Sequence, residues 1–86
     1  MFVLELAFDD NPERLQHRPA HRALLADLKE RGLVTLAGPY ADESGALLVF
    51  DVATRDEFEK LVDADPYYRA PGVTIAAKRE WNPVIR

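Results

Sequence analysis

The segment Ala46-Leu47-Leu48-Val49-Phe50-Asp51-Val52, read as an extended strand, is apolar on both sides. Side chains alternate across a strand, so Leu47 and Val49 share one face and Leu48, Phe50 and Val52 the other. A sheet covered on one side alternates apolar with polar residues, and this segment does not. The stretch Phe2–Phe8 repeats the pattern, with Phe2, Leu4, Leu6 and Phe8 on one face and Val3 and Ala7 on the other. Whatever this chain folds into must therefore bury two faces of one sheet.

Few architectures meet that demand in 86 residues. The length predicts a single domain over residues 1–86 with one modest core. After the first strand, Asp9-Asp10-Asn11-Pro12 is a turn cluster, and residues Asp9 to His17 read as loop. Arg18-Pro19 marks a helix start, because proline is favoured where its missing N–H is not needed. Leu24, Leu25 and Leu28 then recur at helical spacing until Gly32. Leu33–Ala37 is a second strand closed by Gly38-Pro39. Asp42–Gly45 is a hairpin connection into the third strand, Ala46–Val52. Thr54-Arg55-Asp56-Glu57 fits a capping box, in which Thr and Glu each satisfy an orphan N–H of a second helix. That helix runs through Phe58, Leu61 and Val62 and stops near Asp65, because Pro66 cannot continue it. Val73–Lys78 is a fourth strand, and Trp81 lies in a tail with no assigned packing.

The order β-α-β-β-α-β predicts an α+β, ferredoxin-like sandwich: an antiparallel sheet with both helices on one face. Two helices leave the other face bare. Its simplest cover is the same face of a second copy, which predicts a homodimer or a larger assembly built from it, with sheets packed as a dimeric α+β barrel. The alternative is a monomer with an apolar sheet, which large exposed apolar patches make uncommon.

Composition removes several function classes. The chain has no cysteine, so disulfides, thiolate metal sites and a cysteine nucleophile are out. A net charge of -4 argues against nucleic-acid binding. No apolar run is long enough for a membrane span, and no signal-peptide pattern opens the chain, so a cytoplasmic protein is expected. No glycine-rich phosphate loop appears. Ser44, the lone serine, sits in a turn far in sequence from His17 and His21, which disfavours a Ser-His-Asp triad. A metal site on His17, His21 and a carboxylate would need one helix face, and Pro19 between them suggests a break; no metal or other cofactor is expected.

Two polar residues stand out. His21 precedes Leu24, Leu25 and Leu28 by three, four and seven positions, so it shares their inward face. A histidine there is either bonded within the core or borders a cleft. Asp65 ends the second helix, where the helix dipole is negative and a carboxylate gains nothing. It is either the start of a turn before Pro66 or a site residue. Arg18 can pair with a carboxylate or a ligand anion, or stay solvated. Tyr67, beside Asp65, is a candidate pocket wall.

Three stretches give a resemblance. Arg18-Pro19-Ala20-His21 before a leucine-bearing helix, Gly32–Pro39 ending in Gly-Pro, and Ala64-Asp65-Pro66-Tyr67 followed by Gly72-Val73 occur in the order found in YCII-related domain proteins, the group typified by YciI. The resemblance implies a dimeric α+β barrel and an active site built on a His–Asp pair, here His21 and Asp65. Some relatives are associated with dehydrochlorination of chlorinated hydroquinones. Many carry Gly-Ser at the start of the third strand, where this chain has Gly45-Ala46, so a site hydroxyl is missing unless Ser44 replaces it.

The expected function is a cofactor-free enzyme doing acid–base chemistry (elimination, isomerisation or hydrolysis) on a small, ring-containing molecule. His21 would transfer the proton and Asp65 would fix its tautomer. Arg18, Gly38, Pro39 and Tyr67 would contact the substrate. The alternatives are a non-catalytic ligand-binding or accessory module, and a dimeric-barrel monooxygenase.

Overall fold

The computed structural model describes residues 1–86. In chain order it contains β1 (Phe2–Phe8), α1 (Arg14–Glu30), β2 (Val34–Pro39), β3 (Gly45–Phe50), α2 (Arg55–Ala64), a single 3₁₀ turn (Pro66–Arg69) and β4 (Val73–Glu80). The sheet order is β2-β3-β1-β4 with every neighbouring pair antiparallel. This is the ferredoxin-like plan expected from the element order.

One face of the sheet carries the core. Phe2, Leu4 and Leu6 of β1 and Ala46, Leu48 and Phe50 of β3 are buried there against Leu28 of α1, Phe58 and Val62 of α2, and Tyr67 and Tyr68 of the 3₁₀ turn. Phe58 stacks on Phe2 with ring centroids 5.1 Å apart and meets the edge of Phe50 at 5.4 Å. Burying a side chain of this size contributes about 1.5–3 kcal/mol, so this one ring is a large share of what holds α2 down.

The helix ends follow local chemistry. Gly32, at φ +78°, donates its N–H to the Lys29 carbonyl while the Leu33 N–H reaches Leu28, a Schellman ending that turns the chain into β2. Thr54 caps α2 by accepting the Glu57 N–H at 3.2 Å. The return bond differs from the expected box: the Thr54 hydroxyl donates to the Glu57 carboxylate at 3.1 Å, in place of the Thr54 backbone N–H. Asp65, extended because it precedes proline, ends α2 and opens the 3₁₀ turn.

Several boundaries are corrected: β2 includes Gly38-Pro39, β3 ends at Phe50 and not at Val52, β4 runs on to Glu80, and the largest change is in α1. The first helix starts at Arg14, not at Arg18, and Pro19 lies inside it. The start is set upstream, where the Asn11 side chain accepts the Glu13 N–H at 2.9 Å and Leu15 and Gln16 donate to the carbonyls of Pro12 and Glu13. Pro19 is exposed and removes one bond, to the carbonyl of Leu15, so the helix tolerates it. The expected break between His17 and His21 therefore does not occur, although no third metal-ligating side chain joins them.

The opposite face of the sheet has no helix. Leu36 is 70% exposed and Leu47 40%, and Val3 and Val49 lie between them and β4. Trp81, 47% exposed, is anchored by its backbone N–H to the Met1 carbonyl and shares a shallow hollow with Val3, Leu47, Val49 and Arg79. At the centre of this face the Tyr40 hydroxyl donates to the Glu5 carboxylate. No helix of the chain is long and apolar enough to cross a membrane.

Candidate active site

A cavity of about 510 Å³ opens between α1 and the β2–β3 edge of the sheet. Its apolar lining comes from Phe8, Leu25, Val34, Ala46, Leu48 and Tyr67. It is lined by Arg18 of α1, Gly38 and Pro39 at the end of β2 and Tyr67 of the 3₁₀ turn, the four expected substrate contacts, and by His21, the expected proton-transfer residue. Asp65 does not line it; it stands behind His21.

The two ends of this arrangement are placed by different devices. His21 sits on the stripe of α1 that also carries Leu25 and Leu28, so the helix register aims its ring inward. Asp65 is placed by Pro66, which ends α2 and forces the preceding residue extended. They are 44 residues apart in sequence, yet His21 Nδ1 lies 2.6 Å from Asp65 Oδ2. The other carboxylate oxygen, Oδ1, accepts the Tyr67 N–H at 2.9 Å. Both residues are buried, His21 8% and Asp65 4% exposed.

Burial alone would push the Asp65 carboxyl up. The hydrogen bonds from His21 and the Tyr67 N–H, with the charges of His21 and Arg69, outweigh it and hold the carboxyl below its ordinary range. An ionised carboxylate only accepts hydrogen bonds, so His21 Nδ1 is the donor and carries a proton. In the neutral ring Nε2 is then the basic nitrogen. Nε2 bonds to no protein group, and no buried side-chain polar atom lacks a partner, so Nε2 reaches open space.

Aromatic packing fixes the ring plane. His21 stacks on Tyr67 with centroids 4.1 Å apart and planes 9° from parallel, and meets Tyr68 edge-on at 5.4 Å. Burial, then the nearby charges of Asp65 and Tyr67, pushes the Tyr68 hydroxyl well above its usual value, so it stays protonated. The imidazole is thus clamped between a carboxylate behind it and a phenol ring on its face.

The serine question is answered by position. Ala46 is buried and lines the cavity, so a hydroxyl there would face a ligand. Ser44 is exposed in the turn, with its N–H bonded to Asp42, and is not part of the lining, so it does not replace that group. Gly45 is sterically required: a Cβ on it would lie 2.0 Å from the Leu6 carbonyl oxygen.

Sequence reasoning missed Arg14, Arg22 and Lys29, which also line the cavity. Arg22 and Lys29 already lay in the expected helix beside His21 and Leu25, whereas Arg14 joins Arg18 and Arg22 at the same four-residue step only once the helix begins at Arg14.

The cavity, the clamped His21–Asp65 pair and the ferredoxin-like sheet define a small α+β domain with one site, and comparison assigns its lineage. The family model for the YCII-related domain matches residues 1–82, and the chain belongs to that family. Among solved structures it is similar to 5-chloro-2-hydroxyhydroquinone dehydrochlorinase from Burkholderia phenoliruptrix, determined in complex with 2,5-dihydroxybenzoquinone. The two share 22% identity over 95% of this chain and 94% of the other, with a TM-score of 0.60, a likeness of fold. No curated protein matches the sequence significantly.

Proposed function

We propose that this protein is a small cofactor-independent enzyme of the cytoplasm that moves a proton on a ring-sized organic molecule bound against His21. The observation that carries this reading is the Nδ1–Asp65 hydrogen bond at 2.6 Å, which leaves Nε2 as a free base facing a cavity. Nε2 takes a proton from the substrate, the imidazolium is stabilised by the ionised Asp65, and the same nitrogen then gives the proton to solvent after an elimination or back to the substrate in an isomerisation. Elimination is the favoured reaction, because the similar solved structure is a dehydrochlorinase. In such a step the C–H or O–H electron pair forms the new π bond, the leaving group departs with its own pair, and the proton rests on His21.

Arg18, Gly38, Pro39 and Tyr67 are the proposed substrate contacts, and a cavity of this volume suits one substituted ring. A monooxygenase site would need no such proton relay, so the His21–Asp65 pair speaks against that alternative. A pure binding module would need no free base beside the ligand.

The open sheet face supports a homodimer. Leu36, Leu47 and Trp81 are exposed on or beside it, and its central carboxylate, Glu5, is already bonded to Tyr40. A second copy of the same face is the cover that matches it, as an isologous pair. Light scattering at micromolar concentration is expected to give a dimer mass; a monomer mass would remove this part of the reading.

The test of the catalytic role is chloride release and the accompanying ultraviolet change with a panel of chlorinated hydroquinones. Wild type is expected to turn over at least one, and H21A to lose that rate while remaining folded. A folded H21A variant with the wild-type rate would sink the assignment.

A further inference from the structure

The charges around the cavity do not match those of the chain. The protein has 11 Lys and Arg against 15 Asp and Glu, but the cavity lining has Arg14, Arg18, Arg22 and Lys29 against Glu43 alone. All four cations come from one side of α1, three of them at four-residue steps. Like charges at this spacing repel and weaken a helix, so folding does not explain the row.

None of the four is in an ion pair. Apart from His21–Asp65, the ion pairs are Arg31–Asp27, Arg55–Glu59 and Lys78–Glu59, all away from the cavity. Arg14 rests over the Phe8 ring, 4.0 Å from its centroid, and Lys29 donates to the Thr35 carbonyl at 2.9 Å. Both are held at the rim without a counter-charge. Arg18 and Arg22 have no side-chain hydrogen bond within the protein. Below this rim the walls are apolar, with Leu25, Leu48 and Pro39.

We infer that the cavity selects a small organic anion: a carboxylate on an apolar, ring-sized body. Guanidinium groups pair with a carboxylate through parallel hydrogen bonds, and Arg18 and Arg22 are the two free to do so. The body then lies against the apolar walls, with its reacting carbon turned towards His21. The excess of positive charge also draws anions to the mouth of a chain that is acidic overall. This inference rests on the reading that the cavity is the substrate site, and it narrows the substrate class.

The test is calorimetric titration of the full chain with two matched pairs, benzoate against benzamide and 2,5-dihydroxybenzoate against hydroquinone. Each carboxylate is expected to bind at least about tenfold tighter than its neutral counterpart at low salt, with the difference shrinking as salt rises. The R18Q/R22Q double variant is expected to lose about tenfold for the carboxylates and nothing for benzamide, and the exposed single change K29Q to lose less. R79Q, on the opposite face, is expected to bind like wild type. Neutral ligands binding as tightly as the acids would overturn the inference. So would benzoate binding unchanged in a folded R18Q/R22Q protein, or no carboxylate binding at all. Activity separates the two readings: carboxylate preference in a wild-type protein that turns over no substrate, or in a folded H21A that keeps the wild-type rate, leaves this inference standing and removes the catalytic one.

Discussion

The two faces of the sheet are built by the same strands and end in opposite conditions. On the covered face, residues of β1 and β3 are almost fully enclosed, and both oxygens of the buried Asp65 are used, by His21 and the Tyr67 N–H. On the open face, residues from the same strands include Leu47 at 40% exposure, and the polar pair Glu5–Tyr40 lies among apolar groups. There the bond to Glu5, then burial and the Glu5 charge, raises the Tyr40 hydroxyl above its usual value. The difference shows that alternate residues of one strand can meet opposite conditions, enclosure against the helices on one face and exposure on the other.

Changes on the covered face should be the costly ones. The largest effect expected is on chemistry: H21A should lower kcat about 10²–10⁴-fold, read by chloride release, if its imidazole transfers the proton. D65N should come close to that loss with the protein still folded. An amide at this position donates to Nδ1, moves the ring proton to Nε2 and removes the free base, as in serine proteases. Nitrogen-15 shifts of the ring would show the changed tautomer directly.

Next comes stability. D65A leaves the Tyr67 N–H and His21 Nδ1 without a buried partner and should cost about 2–4 kcal/mol in urea unfolding. The same carboxyl sets a pH dependence. Its folded value is depressed, so its contribution is complete above the ordinary carboxylate range near about 4 and is lost as pH falls through the lower folded value. Acid should therefore lower the urea midpoint of wild type more steeply than that of D65N.

On the open face the order reverses. L47D should leave the fold of a single chain within about 0.5 kcal/mol, as for ordinary surface changes, yet shift light scattering from dimer to monomer. The smallest effect is expected from A46S, which adds one hydroxyl to the cavity wall and should change stability by less than about 1 kcal/mol. Its readout is KM for the best substrate, where a group facing the ligand would register.

Much of this was legible in the sequence, for identifiable reasons. β1 matched its expected bounds because its apolar pattern ends at a turn cluster. α2 matched because Thr54 and Pro66 mark its two ends. The His21–Asp65 contact was legible only through the family resemblance, since no local rule joins residues 44 positions apart. The start of α1 was misread because Pro19 is a strong local signal, and the side-chain bond at Asn11 that sets the true start depends on loop geometry. That error hid Arg14 and, with it, the row of cations along the cavity. The 3₁₀ turn after Pro66 was not anticipated, because four residues carry no usable periodicity.

Asp65 ends one helix, opens the next turn and holds the imidazole, whereas His21 has one hydrogen-bond partner and the rings it packs on. Evolutionary drift should treat the two unequally. A lineage without the proposed reaction could replace the histidine only by leaving one buried carboxylate oxygen to find another donor, while the acid would persist for the Tyr67 N–H it holds. Inactive descendants of such a protein would be recognised by a surviving Asp-Pro-Tyr beside a vanished imidazole.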